Sequence, residues 1–354
     1  MKIIDRYIMV TLIKAATVAM VTFLAITAFL TLIDELGDTG RGNYTTITAI
    51  QYVLLVLPRV AYELFPIAAV IGAMATLGIL SHNSELVILR TSGVSLVRLA
   101  WSLTKGGLLI VLAAVLVGEF VAPVSEQTAQ QLRAIAMSEQ ITLKTRNGFW
   151  SRDGDNFINI RKILPGNRIE DIYVYEFDSN NNLKSSTYAQ RAEYIEDRWQ
   201  LENVEKSYLT RTGVTQEVQK TESWDALLNP ELINLVTIRP QYLTLLELYR
   251  YIEYLKSNSQ NSLQYQQALW SKLIQPVTII ALILLALPLV KSDSRSISVS
   301  QRVLMGSLIG IAFHLFNQIA AQMGVVYSIN SIVSATVPTL VVLAITFYMM
   351  RRSA

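Results

Sequence analysis

Apolar positions form long unbroken blocks at both ends of the chain and alternate with polar ones in the middle. Ala15–Ile33 carries no charge. Tyr44–Pro58 and Leu64–Leu80 are also uncharged and lie almost end to end. A membrane-spanning helix needs ~20 apolar residues to cross ~30 Å of hydrocarbon. Read as one helix, 44–80 would be ~55 Å long at 1.5 Å per residue, too long to lie wholly within a bilayer. Pro58 and Pro66 predict a break or bend in it. Further apolar blocks centre on Gly106–Gly118, Leu273–Val290, Val303–Asn330 (less a short loop) and Ile332–Met350. The pattern predicts six spans, three on each side of a polar middle.

From Thr142 the period switches to two, as a sheet with one buried face requires. Gly148–Arg152, Asn156–Lys162, Ile169–Phe177, Leu183–Ala192, Arg198–Val204, Lys206–Thr210 and Val214–Thr221 read as seven short strands. Asp153-Gly154, Ser179–Asn182 and Glu196-Asp197 are turn signals between them. Strands at this spacing predict a sandwich or a related open barrel. A helix over Ser125–Ser138 continues span 3, and a second runs over Leu243–Lys256. The second starts with Thr244 and has Glu247 three residues on, a capping box. Ser257–Ser262 is a polar linker into span 4. The expected organisation is 1–123 with spans 1–3, 124–263 as the β domain with its flanking helices, and 264–354 with spans 4–6. The first strand, around Ile141–Arg146, is the expected free edge of the sheet. Tyr173 and Tyr175 are expected to face its interior.

Composition supports the membrane reading. Among 354 residues 16% are charged and 52% hydrophobic, which excludes an ordinary soluble enzyme and a disordered chain. The absence of cysteine excludes disulfides, zinc ribbons, Fe–S ligation and thiol catalysis. A net charge of +3 is too small to argue for nucleic acid. Its distribution is informative: 124–263 holds 16 Lys+Arg against 19 Asp+Glu, and the rest of the chain 14 against 8. Lys2, Arg6 and Lys14, Arg90, Arg98 and Lys105, Lys291, Arg295 and Arg302, and Arg351 and Arg352 fall in the flanks of alternate span ends. The opposite flanks hold Arg41 against Asp34, Glu35 and Asp38. The positive-inside rule then places both termini in the cytoplasm and the β domain outside. Span 1 lacks a small-residue cleavage site after it, so it reads as an anchor and not a signal peptide.

No phosphate-binding loop, zinc-protease motif or nucleophile elbow occurs, and no cofactor or metal is expected in the chain. His82 and His314 lie far apart in sequence. Gly306-Ser-Leu-Ile-Gly310 is a small-xxx-small packing signal. The loop His82–Gly93 predicts a short helix capped by Asn83 or Ser84 and ended by Gly93. Such a helix docks on a cytoplasmic partner or lies on the bilayer, and spacing does not choose between them. Ionisable groups at membrane depth are functional candidates by default: Arg59 with Glu63, Glu119, Lys272 and Arg133. Each has a bland alternative. Each could snorkel to the headgroups; in addition Arg59 and Glu63 can pair at i, i+4, and Arg133 can pair with Glu126 or Glu139 on its own helix.

In their order and spacing, several short pieces carry a family resemblance. They are Asp5-Arg-Tyr-Ile8, Ser84-Glu85-Leu86-Val87 with Ser92-Gly93, Gly118-Glu-Phe-Val-Ala-Pro123, Leu132-Arg-Ala134 with Ala136-Met137, Gly148-x-Trp150, Asp153-Gly154, Asn156-Phe157, Trp270-Ser-Lys272 and Gln275-Pro276. Along essentially its whole length the chain resembles the membrane permease subunits of the lipopolysaccharide export ABC transporter, most like the G subunit. The resemblance implies a six-helix membrane protein (3+3) with an inserted periplasmic all-β jellyroll-like domain in the Gram-negative inner membrane. It implies a non-catalytic subunit that extracts lipopolysaccharide and passes it to a periplasmic bridge. The implied partners are a homologous F permease, a cytoplasmic ATPase (B) dimer that hydrolyses ATP, and a single-span periplasmic C subunit. Helix 84–92 matches the coupling helix, with Ser84, Glu85, Leu86 and Arg90 as ATPase-coupling residues. Arg133 and Arg302 match basic positions linked to substrate handling, and Arg59 and Arg41 join them as candidates. Relatives carry lysines near the outer end of span 1, where this chain has Thr31, Gly37 and Asp38. The rival readings are a lipoprotein-release type permease, whose four-span layout disagrees with six, and a non-transporting membrane-anchored periplasmic scaffold.

Overall fold

A computed structural model describes residues 3–137, 148–153, 156–164, 168–178, 182–195, 198–210, 213–224, 239–258, 260–290 and 298–353. The element order is α1 (Ile3–Leu36), α2 (Thr46–His82), α3 (Glu85–Thr91), α4 (Leu96–Leu116), a π turn (Val117–Val121) and α5 (Ala122–Met137). Six strands follow: β1 (Phe149–Asp153), β2 (Asn156–Leu164), β3 (Arg168–Phe177), β4 (Leu183–Ile195), β5 (Arg198–Thr210) and β6 (Gly213–Trp224). After a short 3-10 turn at Pro240–Tyr242 come α6 (Leu245–Ser257), α7 (Leu263–Leu289), α8 (Val299–Val326) and α9 (Ser331–Ser353). Among the described residues six helices are long and apolar enough to cross a membrane: α1, α2, the continuous Leu96–Met137 helix, α7, α8 and α9. The 123/124 boundary therefore falls inside a helix, the expected outward continuation of span 3.

The second span is one helix. Its start is set by Thr45, whose side chain accepts from Thr48 N–H, and it runs unbroken through Pro58 and Pro66. Proline at 66 removes the donor that would satisfy the carbonyl of residue 62. The Gln275 side chain of α7 supplies it, donating to Tyr62 O at 2.9 Å. In a bilayer such repair by a neighbouring helix is what lets proline stay within a span. Of the expected break or bend, the break is corrected on this ground: the helix is continuous over Thr46–His82.

Helix α2 is the centre of the bundle, packed by α1, α5, α7 and α8. Gly306 and Gly310 let α8 approach it closely: a Cβ at 306 would meet Ile71 and Met74, and one at 310 Ile67 and Val70. The small-xxx-small signal thus marks the α2–α8 seam. Gly306→Leu is expected to overpack this seam at a cost of about 1–3 kcal/mol. Thermal denaturation in detergent measures it, and an unchanged melting temperature would mean the helices part freely.

The sheet is antiparallel and its strands neighbour one another in chain order, β1 to β6, without closing. The all-β domain expected as jellyroll-like is thus, in the described residues, an open meander. Seven expected strands become six because Arg198–Thr210 is continuous. It passes through Asn203 at φ 53°, a conformation asparagine tolerates. Ile158 faces Val174 and Ile160 faces Ile172 in register. With Ala189, Ala192, Trp199, Leu201 and Val204 they make the apolar core. Alternation then puts Tyr173 and Tyr175 on the opposite face, which corrects their expected interior placement. The edge expected at 141–146 lies outside the described residues, as do Lys291 and Arg295.

Candidate functional site

At the end of α1 nearest α5, a guanidinium meets two carboxylates. Arg133 on α5 donates from Nε to Glu35 at 3.0 Å and from NH2 to Asp38 at 2.8 Å. Glu35 is buried and also accepts from the buried Tyr44 hydroxyl at 2.7 Å. Burial, and then the Glu35 carboxylate, hold the Tyr44 proton well above the ordinary tyrosine range. Asp38 is shared with Arg41 at 2.6 Å. Gly42, at φ +58°, brings the connecting loop against α5, where a Cβ would strike the Met137 carbonyl. Asn43 N–H donates to Ala136 O there at 2.7 Å. Of the two partners expected on its own helix, Glu126 pairs with Arg59 instead and Glu139 lies outside the described residues; the partners seen are Glu35 on α1 and Asp38 just beyond it. Position 133 faces α1, and a side chain as long as arginine reaches it.

The same network continues to the second arginine. The Arg133 guanidinium lies over the Tyr52 ring, and Gln130 links the Tyr52 hydroxyl to Glu126. Arg59 donates to the buried Glu126 at 3.1 Å, to Glu63 at 3.0 Å and to Tyr242 at 3.1 Å. Its expected i, i+4 partner is thus real, and one of three. A cleft lined by Arg59, Tyr62, Glu63, Gly118 and Tyr242 opens beside it. Arg41, Arg59 and Arg133 therefore converge, each already facing carboxylates: Glu35, Asp38, Glu63 and Glu126. An anionic ligand competes with those carboxylates at Arg59 and Arg133, whereas Arg41, with its side chain 71% exposed, keeps donors open to solvent.

Arg302 is not among them. It is buried in the first turn of α8 and donates to Gly78 O and Ser81 Oγ, both at 3.1 Å, near the far end of α2. From Arg59 to Gly78 is 19 residues of helix, ~28 Å at 1.5 Å per residue.

At that far end lies α3. Ser84 precedes it in the left-handed region, φ 58°, and makes no side-chain cap, so neither expected cap forms as drawn. Gly93, φ +83°, ends it, with its N–H on Arg90 O and Val94 N–H on Leu89 O. Leu86 is buried against the bundle, whereas Ile88 and Arg90 are exposed. Glu85 accepts from Tyr7 at 3.3 Å and from Asn83 at 3.1 Å. In the first turn of α1, Asp5 is buried and accepts from Ser102 at 2.7 Å and Lys105 at 2.8 Å. Sequence reasoning missed Asp5, Tyr7 and Tyr44 as site residues. A carboxylate opening an apolar span was the available signal for the first.

Comparison with known proteins follows from this geometry. The family model of the lipopolysaccharide export system permease LptF/LptG matches residues 6–352. The chain is 31% identical over 351 residues to the lipopolysaccharide export system permease protein LptG of Haemophilus influenzae, covering 99% of this chain and 98% of that one. It is 32% identical over 355 residues to the LptG of Escherichia coli K12, covering 99% of each.

Proposed function

Because the chain belongs to the LptF/LptG family of lipopolysaccharide export system permeases, we propose that it is the G-type permease subunit that extracts lipopolysaccharide from the inner membrane and hands it to a periplasmic bridge. The observation that carries this reading is the family match across 6–352, over six spans with a sheet inserted after the third. Six spans instead of four separate it from the lipoprotein-release type.

In this reading both termini and α3 lie in the cytoplasm and the sheet in the periplasm. Arg6, Arg90, Arg98, Lys105, Arg351 and Arg352 at the α3 end support that orientation. The chain has no nucleotide-binding motif, so ATP is hydrolysed by a cytoplasmic ATPase dimer docked on α3 through Ser84, Glu85, Leu86 and Arg90. The lipid-length apolar faces of α1 and α8, with Phe29, Leu30 and Ile33 on one and Leu304, Leu308 and Leu315 on the other, are exposed in the isolated chain. They suit acyl chains and a homologous F permease. A single-span C subunit receives the cargo. Arg133, Arg59 and Arg41 stand at the depth of lipid phosphates and bind them by exchange with their carboxylates. Asp38 is one of those carboxylates.

Detergent-extracted protein is expected to co-elute with lipopolysaccharide, a second six-span permease and an ATPase; elution without lipid or ATPase would sink the proposal. Single cysteines at Asn43 and Tyr327 are expected to react with an impermeant thiol reagent from the periplasm, and those at Ser84 and Ser298 to stay silent. Labelling at Ser84 from outside overturns the orientation.

A further inference from the structure

Two charges at membrane depth remain outside the arginine network. Lys272 on α7 is buried, with its side chain 7% exposed, and all three of its ammonium donors have acceptors. They are Leu243 O at 2.6 Å, Gly118 O at 3.1 Å and Glu119 Oε2 at 3.4 Å. The other Glu119 oxygen accepts Leu245 N–H at 2.7 Å. Leu245 opens α6, so a carboxylate from the bundle satisfies one of the N–H groups a helix start leaves bare. The helix's own Glu247 takes the neighbouring Thr244 N–H at 2.7 Å. Tyr242, just before, is held by Arg59 through its hydroxyl and its ring. Four successive residues, 242–245, are each gripped, and three of the four grips come from the bundle.

The grip is tied to all three central helices. Val117–Val121 is a π turn, the widened helix geometry that recurs at functional positions, and it carries Gly118 and Glu119. Gly118 lies directly on the Tyr62 ring of α2, leaving no room there for a Cβ. Lys272 sits 5.7 Å from the centre of that ring, and Gln275, one turn on, donates to Tyr62 O. A shift of α2, the π turn or α7 against the others must therefore disturb Lys272.

The far end of α6 reaches the sheet. Among the described residues, Tyr254 is the helix side chain that packs into the sheet's apolar core. It lies nine residues beyond Leu245, ~14 Å along the helix. The start of α6 is fixed to the bundle through 242–245, its apolar face packs along α7 at Tyr265, Ala268 and Leu269, and Tyr254 near its far end packs against the sheet's core.

We propose that α6 is a lever by which the membrane bundle sets the position of the sheet domain, with Lys272 and Glu119 as the positioning residues at its fulcrum. In terms of the function proposed above, on which this role in transport rests, the pair aligns the sheet for cargo handoff when ATP moves the bundle.

The test uses the intact transporter complex with Lys272→Gln, Lys272→Arg and Glu247→Gln. Glu247→Gln weakens α6's own cap while leaving the bundle's grip in place. Hydrogen exchange at amides 243–247 is expected to rise at least tenfold in Lys272→Gln, with β2–β5 and α8 unchanged. Basal ATP hydrolysis is expected to persist and lipopolysaccharide transfer to fall at least tenfold. Lys272→Arg is expected to restore most of the transfer and Glu247→Gln to lose little of it. Unchanged exchange at 243–247 overturns the grip. Exchange raised throughout the sheet and bundle makes the pair a general stabiliser and rejects the lever. Raised local exchange with full transfer rejects it too. The exchange measurement does not depend on the cargo, so failure of the lever and failure of the transport reading give different results.

Discussion

Reversing the charge at Arg133 is expected to unfasten the Leu36 end of α1 before it affects anything else. The guanidinium bridges Glu35 and Asp38 and caps a site that also buries Tyr44. Arg133→Glu would set three carboxylates together with no base but Arg41. Breaking a buried pair costs 3–5 kcal/mol, and the one-third exposure of Arg133 brings this to about 2–3 kcal/mol. Arg133→Lys keeps a charge but not the two-pronged geometry, so a smaller loss is expected. Melting temperature and retained lipopolysaccharide should be read on the same samples. A lowered melting point with full lipid retention rejects a substrate role for Arg133. An unchanged melting point with lost lipid rejects the clasp. Glu35→Gln separates the two effects: it loosens the clasp and leaves the guanidinium in place, so stability should fall while lipid retention holds or rises.

Glu85→Ala is expected to lower ATPase assembly about tenfold or more. A hydrogen bond to a charged group contributes about 1.5–3 kcal/mol, and its loss acts directly on occupancy. Inside the chain Glu85 also accepts from Tyr7 and Asn83. Tyr7→Phe removes the first of these bonds alone. If Tyr7→Phe matches Glu85→Ala, the carboxylate works by holding α1 to α3. If Tyr7→Phe assembles normally and Glu85→Ala does not, the carboxylate contacts the ATPase. Normal assembly and export by Glu85→Ala would leave α3 as a helix lying on the membrane surface.

The short helix shows what local pattern can and cannot settle. Gly93 was legible as its end because left-handed backbone favours glycine wherever the chain turns so. Its start was not, because Ser84 takes a left-handed conformation that withdraws its hydroxyl from the first turn. The capping box of α6 was legible in full: both of its bonds lie within four residues, and both form. The sheet was legible as strands and turns, since alternation reports one buried face. Which face received Tyr173 was not, because period two is unchanged when a strand is turned over.

By itself the sequence determined six spans, their grouping about an inserted sheet, and the two glycines that mark the α2–α8 seam. Hydrocarbon length and backbone satisfaction leave an uncharged block of that length few alternatives. Arg59 and Glu63 paired as their i, i+4 spacing predicts, but only the tertiary structure decided the distant partners of the charges. Arg133 joined Glu35, 98 positions away, Lys272 joined Gly118, 154 away, and Gln275 repaired the proline at 66 by way of Tyr62, 213 away. A long side chain in a low-dielectric bundle pairs with whatever packing brings within reach. That choice is made by helix against helix, and no local spacing encodes it.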